Sequence, residues 1–117
     1  DSLELATPKD AKDYLYYYRL GNDHASKGDY PKAVHCLEKS IELRPDFVDA
    51  LVNLGGCYGI LKDYPKSIEV LQKVLAADPD NARALGNLAV TYDQLGDAPR
   101  AEAYRARLRA TARDRGQ

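Results

Sequence analysis

Apolar and small residues recur at the first, fourth, seventh, eighth and eleventh positions of three stretches, LYYYRLGNDHASK, LVNLGGCYGILK and ALGNLAVTYDQLG, with counting started at Tyr14, Val48 and Ala82. Side chains at that spacing fall on one stripe of a helix. Each stretch is followed by a second one, AVHCLEKSIEL, SIEVLQKVLAA and AEAYRARLRAT. There Ala33, Ser67 and Ala101 open the pattern, Leu37 and Leu71 continue it, and Ser40, Val74 and Leu108 close it. The chain therefore predicts three helix pairs, over 14–47, 48–81 and 82–115, repeating every 34 residues without gap or insertion. A period of that length marks stacked supersecondary units.

The punctuation between helices agrees. Gly28-Asp29-Tyr30-Pro31, Lys62-Asp63-Tyr64-Pro65 and Gly96-Asp97-Ala98-Pro99 separate the halves of each pair. Asp can accept from the free amides of a starting helix, Pro suits its first turn, and Gly suits the left-handed residue that ends the previous helix. Lys62 stands where Gly is expected and should be slightly unfavourable. Between pairs, Pro45-Asp46 and Pro79-Asp80-Asn81 stop one helix and offer Asp or Asn as a cap for the next. Small residues at the eighth position, Gly21, Gly55 and Ala89, face the small residues that open the second helix, which predicts close approach within each pair. One pair alone has too little apolar surface to offset its ordering entropy, so the three must stack.

These residues resemble the tetratricopeptide repeat family. Its Leu-Gly, Tyr, Ala, Leu and closing Pro pattern is met by Leu51, Leu54-Gly55, Tyr58, Ser67, Leu71 and Pro79 in the second copy. The first copy meets it with Tyr17, Leu20-Gly21, Ala33, Leu37 and Pro45, and has His24 in place of Tyr. The third keeps Leu85, Leu88-Ala89, Tyr92 and Ala101, then places Arg105 where the others have Leu. The resemblance implies an all-α, right-handed superhelical solenoid of antiparallel helix pairs that binds a partner protein or peptide in a concave groove.

Ahead of the repeats, residues 1–13 read as an extension. Thr7, Pro8 and Asp10 form a helix-start signal, so helix is expected from about residue 8. At the other end, Arg105, Arg109 and Arg113 form a row four residues apart, which makes the last helix a solvated terminal face.

Charge changes the picture little. The formal net charge is −1, divided into 10 basic and 14 acidic residues over 1–81 and 7 against 4 over 82–117. The acidic first part, and the lack of aromatic residues interleaved with the Arg row, argue against nucleic acid. No apolar run approaches the roughly 18 residues that span a bilayer, so direct membrane insertion is not expected. The first residue is Asp rather than Met, which leaves an upstream segment and the compartment open, the cytoplasm being favoured. Cys36 and Cys57 lie 21 residues apart in different helices with no CxxC, and read as buried thiols. His24 and His35 stand beside no nucleophile or carboxylate pair, and no phosphate-binding, zinc-protease or nucleophile-elbow motif occurs. Neither catalytic residues, nor a metal, nor a cofactor is expected.

Function should then lie on the positions of each pair's first helix that the core stripe leaves free. These include Tyr18, Arg19 and Asn22 in the first copy, Val52, Asn53, Gly56, Gly59 and Ile60 in the second, and Arg83, Gly86, Asn87 and Val90 in the third. Mid-helix glycine is unfavourable by about 1 kcal/mol relative to Ala. Gly56, Gly59 and Gly86 therefore read as clearance for a ligand backbone, tight packing being the competing explanation. Asn53 and Asn87 occupy equivalent positions one repeat apart with Asn22 nearby. A carboxamide both donates and accepts, so such a row can hold an extended peptide with little regard to its sequence. Tyr18 is expected as an aromatic anchor, and Arg19 and Arg83 as charge selectors. Heat-shock co-chaperones of the family grip a terminal carboxylate with Lys and Asn, then Asn, then Lys and Arg. Asn22, Asn53 and Arg83 match that set, whereas Tyr18 and Asn87 replace two of its three cations, which leaves a carboxylate clamp as an alternative. Self-association of the short solenoid into a homo-oligomer is the other.

Overall fold

The structure, a computed structural model, describes residues 13–116. Among these residues six helices follow one another: α1 (Tyr14–Ser26), α2 (Tyr30–Leu43), α3 (Val48–Ile60), α4 (Tyr64–Ala77), α5 (Ala82–Gln94) and α6 (Ala98–Arg115). No strand occurs among the described residues. The helix start expected at residues 7–10 lies outside them.

Each helix pair closes through one device. Gly28, Lys62 and Gly96 take left-handed backbone angles, with φ of +83°, +66° and +76°. The next amides, of Asp29, Asp63 and Asp97, donate back to the carbonyls of His24, Tyr58 and Tyr92 at 2.9 Å in every case, which satisfies the carbonyls that the helix end leaves free. The same three aspartates then cap the following helix. Their carboxylates accept from the amides of Lys32, Lys66 and Arg100 at 3.3, 3.4 and 3.1 Å, and proline occupies the first turn. One residue thus ends α1 and starts α2, and the arrangement recurs twice.

The junctions between pairs are less uniform. Asn81 caps α5 by accepting from the amide of Ala84 at 2.9 Å. At the start of α3 the cap position holds Phe47, which makes no side-chain cap bond. The expectation that Asp46 would serve there fails because Asp46 lies one residue outside and pairs instead with Arg44 at 3.4 Å. Phe47 packs its ring on Tyr14 and Tyr18, with centroids 5.0 and 4.8 Å away. Aromatic contact replaces a cap at the seam between the first two pairs.

Helices within a pair pack antiparallel, α2 also meets α3 and α4 meets α5, while α3 touches both α1 and α5 in an inner layer. One apolar cluster runs through all three pairs and includes Leu37, Leu71, Leu85 and Leu88, each at 0% exposure. The close approach expected at the eighth position is present. A methyl group placed on Gly55 would lie 2.6 Å from Leu71, and one on Gly21 would lie 2.9 Å from Leu37. The leucine of the partner helix therefore fills the space that the small residue leaves. Ser67 Oγ donates to the Gly55 carbonyl at 2.8 Å, and Ser40 Oγ to that of Tyr14 at 2.8 Å, so both buried hydroxyls are satisfied.

The Arg row of α6 is exposed but largely neutralised. Arg105 pairs with Asp93 at 2.6 Å and with Glu102 at 3.2 Å, and Arg109 pairs with Glu102 at 2.6 Å. Arg107 and Arg115 donate to the carbonyls of Pro79 and Asp80 at 3.1 and 3.2 Å. Those bonds tie the last helix to the turn between α4 and α5.

Candidate functional site

The inner layer carries two adjoining depressions. The larger, about 390 Å³, lies between α3 and α5 and is lined by Gly56, Gly59, Ile60, Asn87, Val90 and Gln94, with Lys62 and Tyr64 at one side. The smaller, about 280 Å³, lies between α1 and α3, bounded by Asn22, Ala25, Tyr30, Asn53 and Cys57, with Arg83 reaching over from α5. Gly56 and Ile60 line both, so together they form one trough across three helices.

A chain of hydrogen bonds spans this trough. Asn53 donates through Nδ2 to Asn22 Oδ1 at 2.8 Å, and the Arg83 guanidinium donates to Asn53 Oδ1. Three successive inner helices are stapled by neutral acceptors. The row of three carboxamides expected from sequence is therefore not uniform: Asn22 and Asn53 hold each other, whereas the Asn87 carboxamide bonds to none of the described residues. Asn87 is half-buried, and its Nδ2 lies 3.5 Å from where a methyl group on Gly56 would sit. Its backbone carbonyl accepts from Thr91 Oγ1 at 2.8 Å.

The glycines divide by what surrounds them. A methyl group on Gly56, Gly59 or Gly86 would meet neighbours only at ordinary contact distance, 3.5 to 3.9 Å. Packing does not demand glycine at these three positions, in contrast to Gly55.

Cations on this face lack carboxylate partners. Among the described residues Arg83 bonds only to Asn53, and neither Arg19 nor Lys62 enters an ion pair, whereas Asp93 on α5 is already held by Arg105. Apolar groups are also exposed there, Ile60 at 56% and Val90 at 59%.

Tyr18 and Arg19 line neither depression. Tyr18 is half-buried, its ring tilted at 58° against Phe47, and Arg19 is exposed beside it. Val52, which helical phase turns toward the groove, lines the smaller depression from its floor, 1% exposed and continuous with the core where α3 meets its neighbours. Tyr30 and Tyr64 were not anticipated as lining residues. Their signal was present in the repeated Asp-Tyr-Pro, which reads first as turn punctuation.

Other chemistry is sparse. No cluster of three metal-ligating side chains occurs among the described residues, and no helix there is long and apolar enough to cross a membrane. Neither cysteine is in a disulfide and both are buried, and burial pushes the Cys57 thiol up from its ordinary pKa. The Tyr58 phenol is raised too, chiefly by burial and then by donating its hydrogen bond to Glu38.

A tetratricopeptide repeat model matches residues 18–80, and a second matches residues 60–117. Among solved structures, the crystal structure of MamA superposes with a TM-score of 0.86 at 23% identity, over 92% of this chain and 63% of that one. The chain thus spans under two thirds of the MamA protein it matches. YrrB, described as a TPR protein with an unusual peptide-binding site, gives 0.85 at 20% identity over 93% of this chain and 55% of that one. The second TPR of Spaghetti (RPAP3), bound to the HSP90 peptide SRMEEVD, gives 0.82 at 15% identity over 86% of this chain and 94% of that one. No curated protein shows significant similarity to it. With one repeat model covering more than half of its length and the other reaching its last residue, this chain is a member of the tetratricopeptide repeat family.

Proposed function

We propose that the chain is a protein-interaction module that takes a peptide segment of a partner protein across the face of α1, α3 and α5, acting as an adaptor or scaffold. The observation that carries this reading is the trough itself: two depressions joined at Gly56 and Ile60, in which glycine is unnecessary for packing and polar groups stand on both sides. Helical glycine without a packing role is unfavourable for stability. Open space for a ligand backbone explains its presence. Asn22, Asn53 and Asn87 supply carboxamides for peptide groups, Arg83 and Arg19 select charge, Val90 offers apolar contact, and Tyr18 flanks the end of the face at α1. Peptide-bound RPAP3 and the peptide-binding site of YrrB, on the same fold, support the reading without identifying this partner.

The test uses a displayed library of random nine-residue peptides panned on the native domain and on a variant carrying Asn53→Ala with Asn87→Ala. Helicity should be unchanged while capture of the enriched peptides falls. Equal capture by both forms would contradict the groove assignment.

Self-association is the second reading, favoured by the exposed Ile60, Leu61, Val90 and Leu95, at 42 to 59%. Sedimentation velocity over a hundredfold range of concentration decides it, and a strictly monomeric domain removes it.

A further inference from the structure

Resting on the groove reading above, we infer the chemistry of the segment the trough accepts: one apolar side chain seated between α3 and α5, with an acidic residue beside it on Arg83. Three independent observations converge on that partner.

The first is shape. The larger depression has glycines on its α3 wall and exposed Ile60 and Val90 at its edge. A side chain of leucine or phenylalanine size can enter there and bury these apolar surfaces, each square ångström contributing about 25 cal/mol. The second is hydrogen bonding. The Asn87 carboxamide holds no bond to a described residue and stands over Gly56, where an incoming backbone would pass. One peptide group there can both donate to and accept from its carboxamide, which fixes the register of the segment and hence which side chain points into the depression.

The third is charge. Arg44, Arg100, Arg105 and Arg109 all pair with carboxylates, whereas Arg83, on the trough, donates only to a carboxamide oxygen. Lys62, at the side of the same trough, has no ion pair among the described residues. Asp49, the acidic residue of α3, sits in its first turn as Arg83 does in that of α5, yet no ion pair joins the two, and Arg83 turns to Asn53 instead. The face is therefore complementary to acidic groups, and guanidinium to carboxylate is the strongest hydrogen-bonded pair available to it. Neighbouring inner helices lie about 8–10 Å apart and an extended chain advances about 3.3 Å per residue. The acidic and apolar residues should then be separated by about two or three positions.

The sequences recovered from the same nine-residue library test this, read for consensus rather than capture. The native domain should enrich an apolar residue with Asp or Glu two or three positions away. Arg83→Glu should reverse the acidic preference to Lys or Arg while keeping the apolar one. Ile60→Asn with Val90→Asn, at exposed sites, should erase the apolar preference, keep the acidic one, and weaken the native consensus peptide about tenfold or more. Groove-dependent binders that lack this pair, or an acidic preference that survives Arg83→Glu, would overturn the inference and leave the groove reading standing. A native domain that enriches no groove-dependent peptide would overturn both.

Discussion

Gly55 and Gly56 are adjacent in α3, yet alanine should act on them with opposite sign. At Gly56 the added methyl group meets nothing nearer than Asn87 Nδ2 at 3.5 Å. Replacement therefore recovers the helix preference of alanine, a gain of about 0.5–1 kcal/mol. At Gly55 it lands 2.6 Å from both Cγ and Cδ2 of Leu71, a side chain at 0% exposure with no free direction to move. Overpacking of that kind costs about 1–3 kcal/mol, which outweighs the same propensity gain and leaves a net loss of up to about 2.5 kcal/mol. Urea unfolding followed by circular dichroism measures both variants, and at roughly 4 °C per kcal/mol the melting temperatures should move in opposite directions. Gly56→Ala should also weaken peptide capture, because its methyl group stands in the trough beside Asn87. If Gly56→Ala destabilised the fold, or Gly55→Ala stabilised it, the division of these glycines into one for packing and one for clearance would be wrong.

Three further outcomes are expected. Lys62→Gly should stabilise the domain by about 0.5–1 kcal/mol, since Lys62 holds φ of +66° where L-residues are strained by about 1–2 kcal/mol and glycine recovers part of that; an unchanged urea midpoint would argue against it. Hydrogen bonds from Arg109 and then Arg105 hold the Glu102 carboxyl below its ordinary range, and those from Arg100 do the same to Asp97. A depressed folded pKa means the contribution is present above the unfolded values and is lost as pH falls through the lowered ones. The urea midpoint should accordingly drop below about pH 4, and Glu102→Gln should blunt that drop; an identical acid limb in the variant would contradict it. Cys36 and Cys57, at 6 and 5% exposure, should react with an aromatic disulfide reagent only as fast as the domain opens, and immediate labelling of the native protein would contradict that burial.

The repeated pattern made the fold legible because each signal had a local cause. The left-handed turns at positions 28, 62 and 96 follow from the Gly-Asp and Lys-Asp pairs next to proline, and the helices follow from a stripe of period 3.6. What was not legible depends on how neighbouring helices offset. Phase turns Val52 toward the groove, where it lines the smaller depression, but how closely adjacent helices approach it, leaving it 1% exposed, is not in the pattern. Phe47 stands where Asn81 caps the later repeat, and only its contact with Tyr14 and Tyr18 explains the exchange. The trough shows the same limit. Equivalent positions for Asn53 and Asn87 were plain, but the bond from Arg83 that ties up one and leaves the other depends on rotamers thirty residues apart.

The central claim is that a peptide lies along α1, α3 and α5. The direct measurement is a titration of ¹⁵N-labelled domain with a peptide recovered from the library, followed by amide and side-chain carboxamide shifts. The account predicts that the largest changes fall on Asn53, Gly56, Gly59, Asn87 and Val90, with the Asn87 side-chain amide among them. Changes confined to α2, α4 or α6 would contradict it.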